Sequence, residues 1–405
     1  MKKSAALLLL FLSGNAGTAH SFRTQPRAST RAANVIGNGS AFNFSRLAES
    51  ALDLRETAEQ SAPAEPQQSS ACMPSAEQVE STLRRQELAF ERTGQSSSQA
   101  EQIASRNVTI TAIPGVVAAG VKWTKVWQEA GNSADGIITD KDGSVLVAQE
   151  DYDSVLRIDK NGKTSVVVAN AKGIGALSMD RQGHLYGAHR TERPGSTKPD
   201  KASIVNAITM LPPERKTITN SWASGGALTV RPNDLLADNH GGAYFTTGCL
   251  YYAGPGGAKV VVDNIRTNGI AFSPDEKTLY VTNGGMLVAF DVKGPGILAN
   301  RRDFASLPAG ISGDGTAVDS EGRLYVSSKT GLQIFDNTGK YLGEIPTPRD
   351  IISVTFAGAG KKTLYVVGSG AEDDHGQPIR QGPQQTAATI YKLPVIAQGL
   401  KGRAK

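Results

Sequence analysis

From about residue 107 onward, short apolar runs alternate with clusters of Gly, Asp and Asn, a pattern that predicts brief β-strands joined by tight turns. Six stretches share one template: DGIITDKDGSVLVAQ, GALSMDRQGHLYGAH, NDLLADNHGGAYFTTG, NGIAFSPDEKTLYVTN, DGTAVDSEGRLYVSS and ISVTFAGAGKKTLYVVG. They begin at Asp135, Gly175, Asn233, Asn268, Asp314 and Ile352, and eight residues after each head stand Gly143, Gly183, Gly241, Glu276, Gly322 and Gly360. Each unit reads as strand, turn, strand. Heads 35 to 58 residues apart leave room for two further strands per unit, hence a four-stranded antiparallel sheet. Units of that size arranged radially make an all-β, six-bladed β-propeller. The widest gap, between Gly175 and Asn233, is assigned a loop insertion, TERPGSTKPDKA. A lone blade cannot bury both faces, so the ring must close. VKWTKVW (Val121 to Trp127) and ATIYKLPV (Ala388 to Val395) are the closing strands. A two-sheet sandwich is the rival, but a sandwich does not demand a repeated register.

The first 106 residues have a different texture. MKKSAALLLLFLSGNAGTA reads as a secretory signal over residues 1–19, with two lysines, an apolar run and small residues at its end. That run is far shorter than the ~20 residues a bilayer needs. Residues 20–106 read as a low-complexity, partly disordered linker carrying a helix at about Ala76 to Arg92, where Ser75 and Gln78 are spaced as a capping box. The propeller then spans 107–397, and 398–405 form a basic tail. These segments predict an exported protein, periplasmic or secreted. An Arg-rich, acid-free stretch after the signal keeps an organelle-targeted alternative open.

Composition narrows the classes. Net charge is +5, yet six basic residues precede the first acidic one, Glu49, so the excess sits in the leader. No Lys/Arg stripe interleaved with aromatics follows, which argues against nucleic acid as a partner. After signal removal nothing is long and apolar enough for stable membrane insertion; a small-molecule substrate is the expected partner, with a protein partner open as the alternative. Cys72 and Cys249 lie in different regions and read as two separate thiols, with one disulfide possible in an oxidising compartment. GxSxG and HExxH are both absent, which removes the serine-hydrolase and zinc-protease templates.

Six equivalent positions on a propeller converge on the central channel, so the heads read as a ring of ligands. Asp135, Asn233, Asn268 and Asp314 supply oxygen; Gly175 and Ile352 supply no polar group. Two carboxylates and two amides are hard donors whose charge neutralises a divalent cation, which suits Ca²⁺, with Mg²⁺ or Mn²⁺ possible and Zn²⁺ less favoured because no His or Cys is a head. The competing explanation is that Asp-Gly and Asn-Gly are turn dipeptides. Asp140, Asp180, Asp238 and Asp319, five residues after their heads, are read as turn formers only.

Over roughly residues 120 to 395 the chain resembles the SMP-30/gluconolactonase/luciferin-regenerating-enzyme-like family of calcium-dependent six-bladed propellers, which includes diisopropylfluorophosphatase. The resemblance is carried by RPNDLLAD, NGIAFSPDEKTLYVTN and GDGTAVDSEGRLYVSSKTGLQIFDNTGKYLGEIPTP. It implies that Asn233, Asn268 and Asp314 match three of the family's four ligands, a Glu, two Asn and an Asp. Asp135, in SADGIITD, stands where the family usually has Glu and is one methylene shorter. It implies substrate contacts from Arg231 and Asn233, and catalytic roles for Asp314 and for Asp234, the candidate general base. The activity implied is metal-assisted hydrolysis of a lactone or related cyclic ester. A phosphotriester or aryl-ester hydrolase on the same ring, or a non-catalytic binding propeller, are the alternatives.

Overall fold

Strand propensity and inner strands buried along nearly their whole length build six antiparallel sheets in chain order. Blade one comprises Ala134–Thr139, Val145–Gln149, Ser154–Ile158 and Thr164–Val168; blade two Ile174–Met179, Leu185–His189, Ala207–Met210 and Lys216–Thr219. Blade four runs from Ile270–Phe272 to Ile297–Ser306 and blade five from Thr316–Val318 to Tyr341–Pro346, each with four strands. Blade six takes Ile351–Ala357, Thr363–Ser369 and Ala387–Pro394 and completes itself with Thr124–Ala130 from before blade one. There Thr124 opposes Lys392 and Ala130 opposes Ala387, so the two strands expected to close the ring do pair. This computed structural model describes residues 72–75, 77–79, 81, 105–191, 205–379 and 386–402. The signal segment, most of the linker and helix, and the TERPGSTKPDKA insertion beyond Thr191 lie outside the described residues.

Blade three departs from the four-strand expectation. It has three strands, Leu235–Ala237, Ala243–Gly254 and Gly257–Thr267, and the last runs directly into Asn268. Two long strands of 12 and 11 residues consume the shortest head spacing, so no chain is left for a fourth.

The apolar runs are nearly continuous because each blade is buried on both faces. Ile137 packs into the seam with blade six while Ile138 packs into the seam with blade two. Leu235 and Leu236 divide likewise between blades two and four. Six apolar clusters fill the six seams, so a period of two sends consecutive side chains to opposite neighbours.

Two sets of residues fix the turns. All six positions eight residues past a head are left-handed, with φ of 83° at Gly143, 90° at Gly183, 84° at Gly241, 59° at Glu276, 80° at Gly322 and 64° at Gly360. Glycine adopts that conformation without a Cβ penalty, which accounts for five in six. The aspartates five past the heads hold the same turns: Asp180 Oδ1 accepts the Gly183 and His184 N–H groups at 2.8 and 2.9 Å, and Asp238 and Asp319 act alike.

The chain before the ring is anchored to it. Ser75 N–H donates to Gln78 Oε1 at 2.8 Å and Gln78 N–H to Ser75 Oγ at 3.1 Å, the reciprocal pair expected of a capping box. The two cysteines do not stay separate: Cys72 and Cys249 form a disulfide across 177 residues, corrected from the expectation of two thiols. Tyr251 Oη donates to Cys72 O at 2.8 Å and Thr229 Oγ1 to Pro74 O at 2.8 Å, which brings the distant segment to Cys249. Arg106 reaches Asp350 Oδ1 at 2.9 Å, and Ile110, Ile113, Val116 and Val117 enter the seam of blades five and six.

Candidate functional site

The Asp-Gly and Asn-Gly pairs at the heads are not turns. Gly136, Gly269 and Gly315 have no left-handed φ. They are glycines because neighbouring inner strands crowd them: a Cβ on Gly269 would stand 2.0 Å from Asp314 O, one on Gly136 2.7 Å from Ala176 Cα, and one on Gly315 2.7 Å from Ile352 O. Each head is thereby pressed against the head region of the next blade, and the side chains before these glycines converge.

Asn233 Nδ2 donates to Asn268 Oδ1 at 3.0 Å, joining blades three and four. Asn268 is held from behind by its own N–H on Thr282 Oγ1 at 2.9 Å. Asp314, from blade five, is close enough to Asp135 and Asp234 to feel both charges. Burial first, then those two carboxylates, push its pKa well above the usual range. Among the described residues no salt bridge reaches it. Asp135 is also pushed up by burial, which Arg190 partly offsets.

Two residues that the reading of the heads missed complete the ring. Arg190, 2% exposed, extends Nη2 to Asp135 Oδ2 at 2.9 Å and Nη1 to Glu150 Oε2 at 3.0 Å. The same Nη2 bonds Asn233 O and lies 3.4 Å from Asn233 Oδ1. Burial pulls the guanidinium pKa down, but Asp135 and Glu150 more than offset this and leave it raised. Glu150 Oε1 accepts in turn from Arg231 Nη2, and Arg231 Nε donates to Thr191 O at 3.0 Å. Gly175 now has a reason: a Cβ there would stand 2.2 Å from Arg190 Cζ. Blade two therefore contributes a cation where a polar head was missing. The signal was present in the sequence, because Glu150 and Arg190 both stand fifteen residues after their heads, opposite charges in adjacent blades at one register.

Asp234 is placed differently from its neighbours. Oδ1 accepts Leu235 N–H at 2.8 Å and Oδ2 accepts Ile270 N–H at 3.2 Å, so the carboxylate braces the inner strands of blades three and four.

The donor set fits a divalent cation. Four carboxylates, Asp135, Glu150, Asp234 and Asp314, face two guanidiniums, Arg190 and Arg231, for a formal residue of two negative charges. Glu150 is taken up by the arginines, leaving amide oxygens and the Asp314 carboxylate as hard donors. No cluster of three or more His, Cys, Asp or Glu able to hold an ion occurs among the described residues, so the two asparagines are indispensable to any such site.

Residues 163–370, just over half of the chain, match the SMP-30/Gluconolactonase/LRE-like region. This chain belongs to that family. Among curated relatives, lactonohydrolase oryH of Aspergillus oryzae is 30% identical over 190 residues, covering 38% of this chain and 40% of that protein. The gluconolactonase of Zymomonas mobilis is 28% identical over 176 residues, 34% of this chain and 48% of that one. The chain thus spans less than half the length of these two relatives. A solved gluconolactonase of Xanthomonas campestris superposes with a TM-score of 0.53 at 23% identity, covering 73% of this chain and 99% of that one. At such identity the superposition establishes the family's propeller fold.

Proposed function

We propose that this chain is a divalent-cation-dependent hydrolase of lactones, with Ca²⁺ the favoured ion. The observation that carries the reading is the convergence of Asp135, Asn233, Asn268 and Asp314 on one channel mouth with two negative charges uncompensated. Family membership and relatives named lactonohydrolase and gluconolactonase supply the substrate class.

Asn233, Asn268 and Asp314 would hold the ion, with Asp135 beside them on Arg190. When bound, the cation polarises the lactone carbonyl and acidifies water. Arg231, 30% exposed, has one edge of its guanidinium fixed by Glu150, an arrangement suited to orienting a substrate oxygen. A carboxylate oxygen of Asp314 would take the proton from the attacking water and return it to the ring oxygen as the acyl C–O bond opens, since both oxygens of Asp234 already accept backbone N–H groups. Asp234 acts by keeping the inner strands of blades three and four in place. We also place the protein outside the reducing cytosol: the Cys72–Cys249 bridge supports the export expected from the leader.

A panel of sugar and aliphatic lactones, aryl esters and phosphotriesters, followed by acid release, tests the reading. Lactone hydrolysis that disappears in Asp314→Ala is expected. Turnover of phosphotriesters alone, or of nothing while an ion is bound, would replace it with the corresponding alternative.

A further inference from the structure

Arg190 is a permanent positive charge built into the ring proposed to hold a cation, and the fold goes to some length to keep it there. Gly175 gives up its side chain for it, and the guanidinium is 2% exposed. Nη1 is committed to Glu150 and Nη2 to Asp135 and Asn233 O. Arginine does not deprotonate in proteins, so this charge cannot be relieved. Two of the four candidate ligands, Asp135 and Asn233, therefore already bond to Arg190, while among the described residues no hydrogen bond or salt bridge joins a cation to the side chain of Asn268 or Asp314.

We propose that Arg190 sets the ion affinity of the ring by holding Asp135 out of the ligand set, so that Asn233, Asn268 and Asp314 bind the ion and Asp135 serves the arginine. The consequence is a weaker and more open site than four ligands would make, with more positions left for water or substrate. This rests on the reading that the ring binds a divalent cation, but not on the identity of the substrate.

Calcium titration calorimetry on the full chain, without any lactone, tests it. Arg190→Gln removes the charge and frees Asp135; the expected result is at least about tenfold tighter Ca²⁺ binding. Asp135→Asn in the otherwise native chain is expected to change affinity by less than about threefold, yet to cancel the gain when combined with Arg190→Gln, the coupling that marks two residues acting on one another. Arg190→Lys retains the charge and should stay near the native affinity. Unchanged or weaker binding by a folded Arg190→Gln variant, or an Asp135→Asn variant that loses more than about tenfold, would overturn the proposal. Should Arg190→Gln fail to fold, Asp135→Asn decides alone, since near-native affinity supports a carboxylate outside the ligand set and a large loss refutes it. Asp314→Ala separates the two failures: calcium binding that survives it shows that the ring is not the ion site, and both readings fall together. Loss of binding in Asp314→Ala alongside an unaltered Arg190→Gln affinity would remove only the role of Arg190.

Discussion

Asp314 is the carboxylate of the ring on which charge is least compensated. Its pKa is raised, so in the metal-free protein its ionised form opposes folding. The contribution is favourable while the group is protonated and is lost as pH rises through the raised value. Asp314→Asn is therefore expected to raise the melting temperature of metal-free protein, by an amount equivalent to roughly 1 kcal/mol, most at neutral pH and vanishing on acidification below the ordinary carboxylate range. The same variant should lower kcat/KM toward lactones by about 100-fold or more, as expected when a ligand to a catalytic cation is lost. A melting scan across pH beside steady-state kinetics checks both. Higher stability with lower activity is the signature of a residue kept for chemistry. The heads were legible from sequence because their register repeats, whereas Glu150 and Arg190 lay one strand further along the same register and carried no turn signal to draw attention to them. Asp234 could be singled out from the sequence, but not its backbone partner Ile270, which comes from the next blade.

At the level of strands, two kinds of glycine stand side by side in the sequence and are separable only by their surroundings. Gly269 lies against Asp314 O and Gly136 against the Ala176 and Leu177 backbone, neighbours that cannot rotate away. Gly241, by contrast, is left-handed with open space around its Cβ position. Gly269→Ala is expected to cost about 3 kcal/mol or to prevent folding, and Gly241→Ala only about 1 kcal/mol. Urea denaturation of the two variants checks the order; equal costs would mean that the inner strands are free to separate. Strand pattern alone predicted four strands in every blade and failed at blade three, where one long hairpin, Ala243–Gly254 and Gly257–Thr267, uses the length that elsewhere makes two pairs. Strand existence is written in local alternation; strand length here is decided by the neighbouring seam.

For the whole molecule, closure is the governing feature. The pairing of Thr124–Ala130 with Ala387–Pro394 joins the ring's start to its end, and Val126 and Trp127 of that strand pack against the seam of blades six and one. Removal of residues 1–131 is expected to abolish cooperative unfolding, measured by calorimetry. The Cys72–Cys249 bridge ties a second remote segment to the seam of blades two and three. Replacing both cysteines by serine should lower stability by about 2–4 kcal/mol, the range for a bridge closing a long loop, and reductant should shift the native protein's melting temperature but not the variant's. Two cysteines allow a single pairing, but whether it forms was not legible in the sequence, because that depends on Tyr251 and Thr229 holding the distant segment beside Cys249. Ring closure was legible, because two orphan strands flanked the repeats.

The most direct measurement is hydrolysis of gluconolactone by chelator-stripped protein titrated back with Ca²⁺, with ion occupancy and turnover read on the same sample. Turnover should vanish on stripping and return in proportion to occupancy. Full turnover by the stripped protein, or full occupancy with no turnover, would contradict a ring that binds its cation in order to hydrolyse lactones.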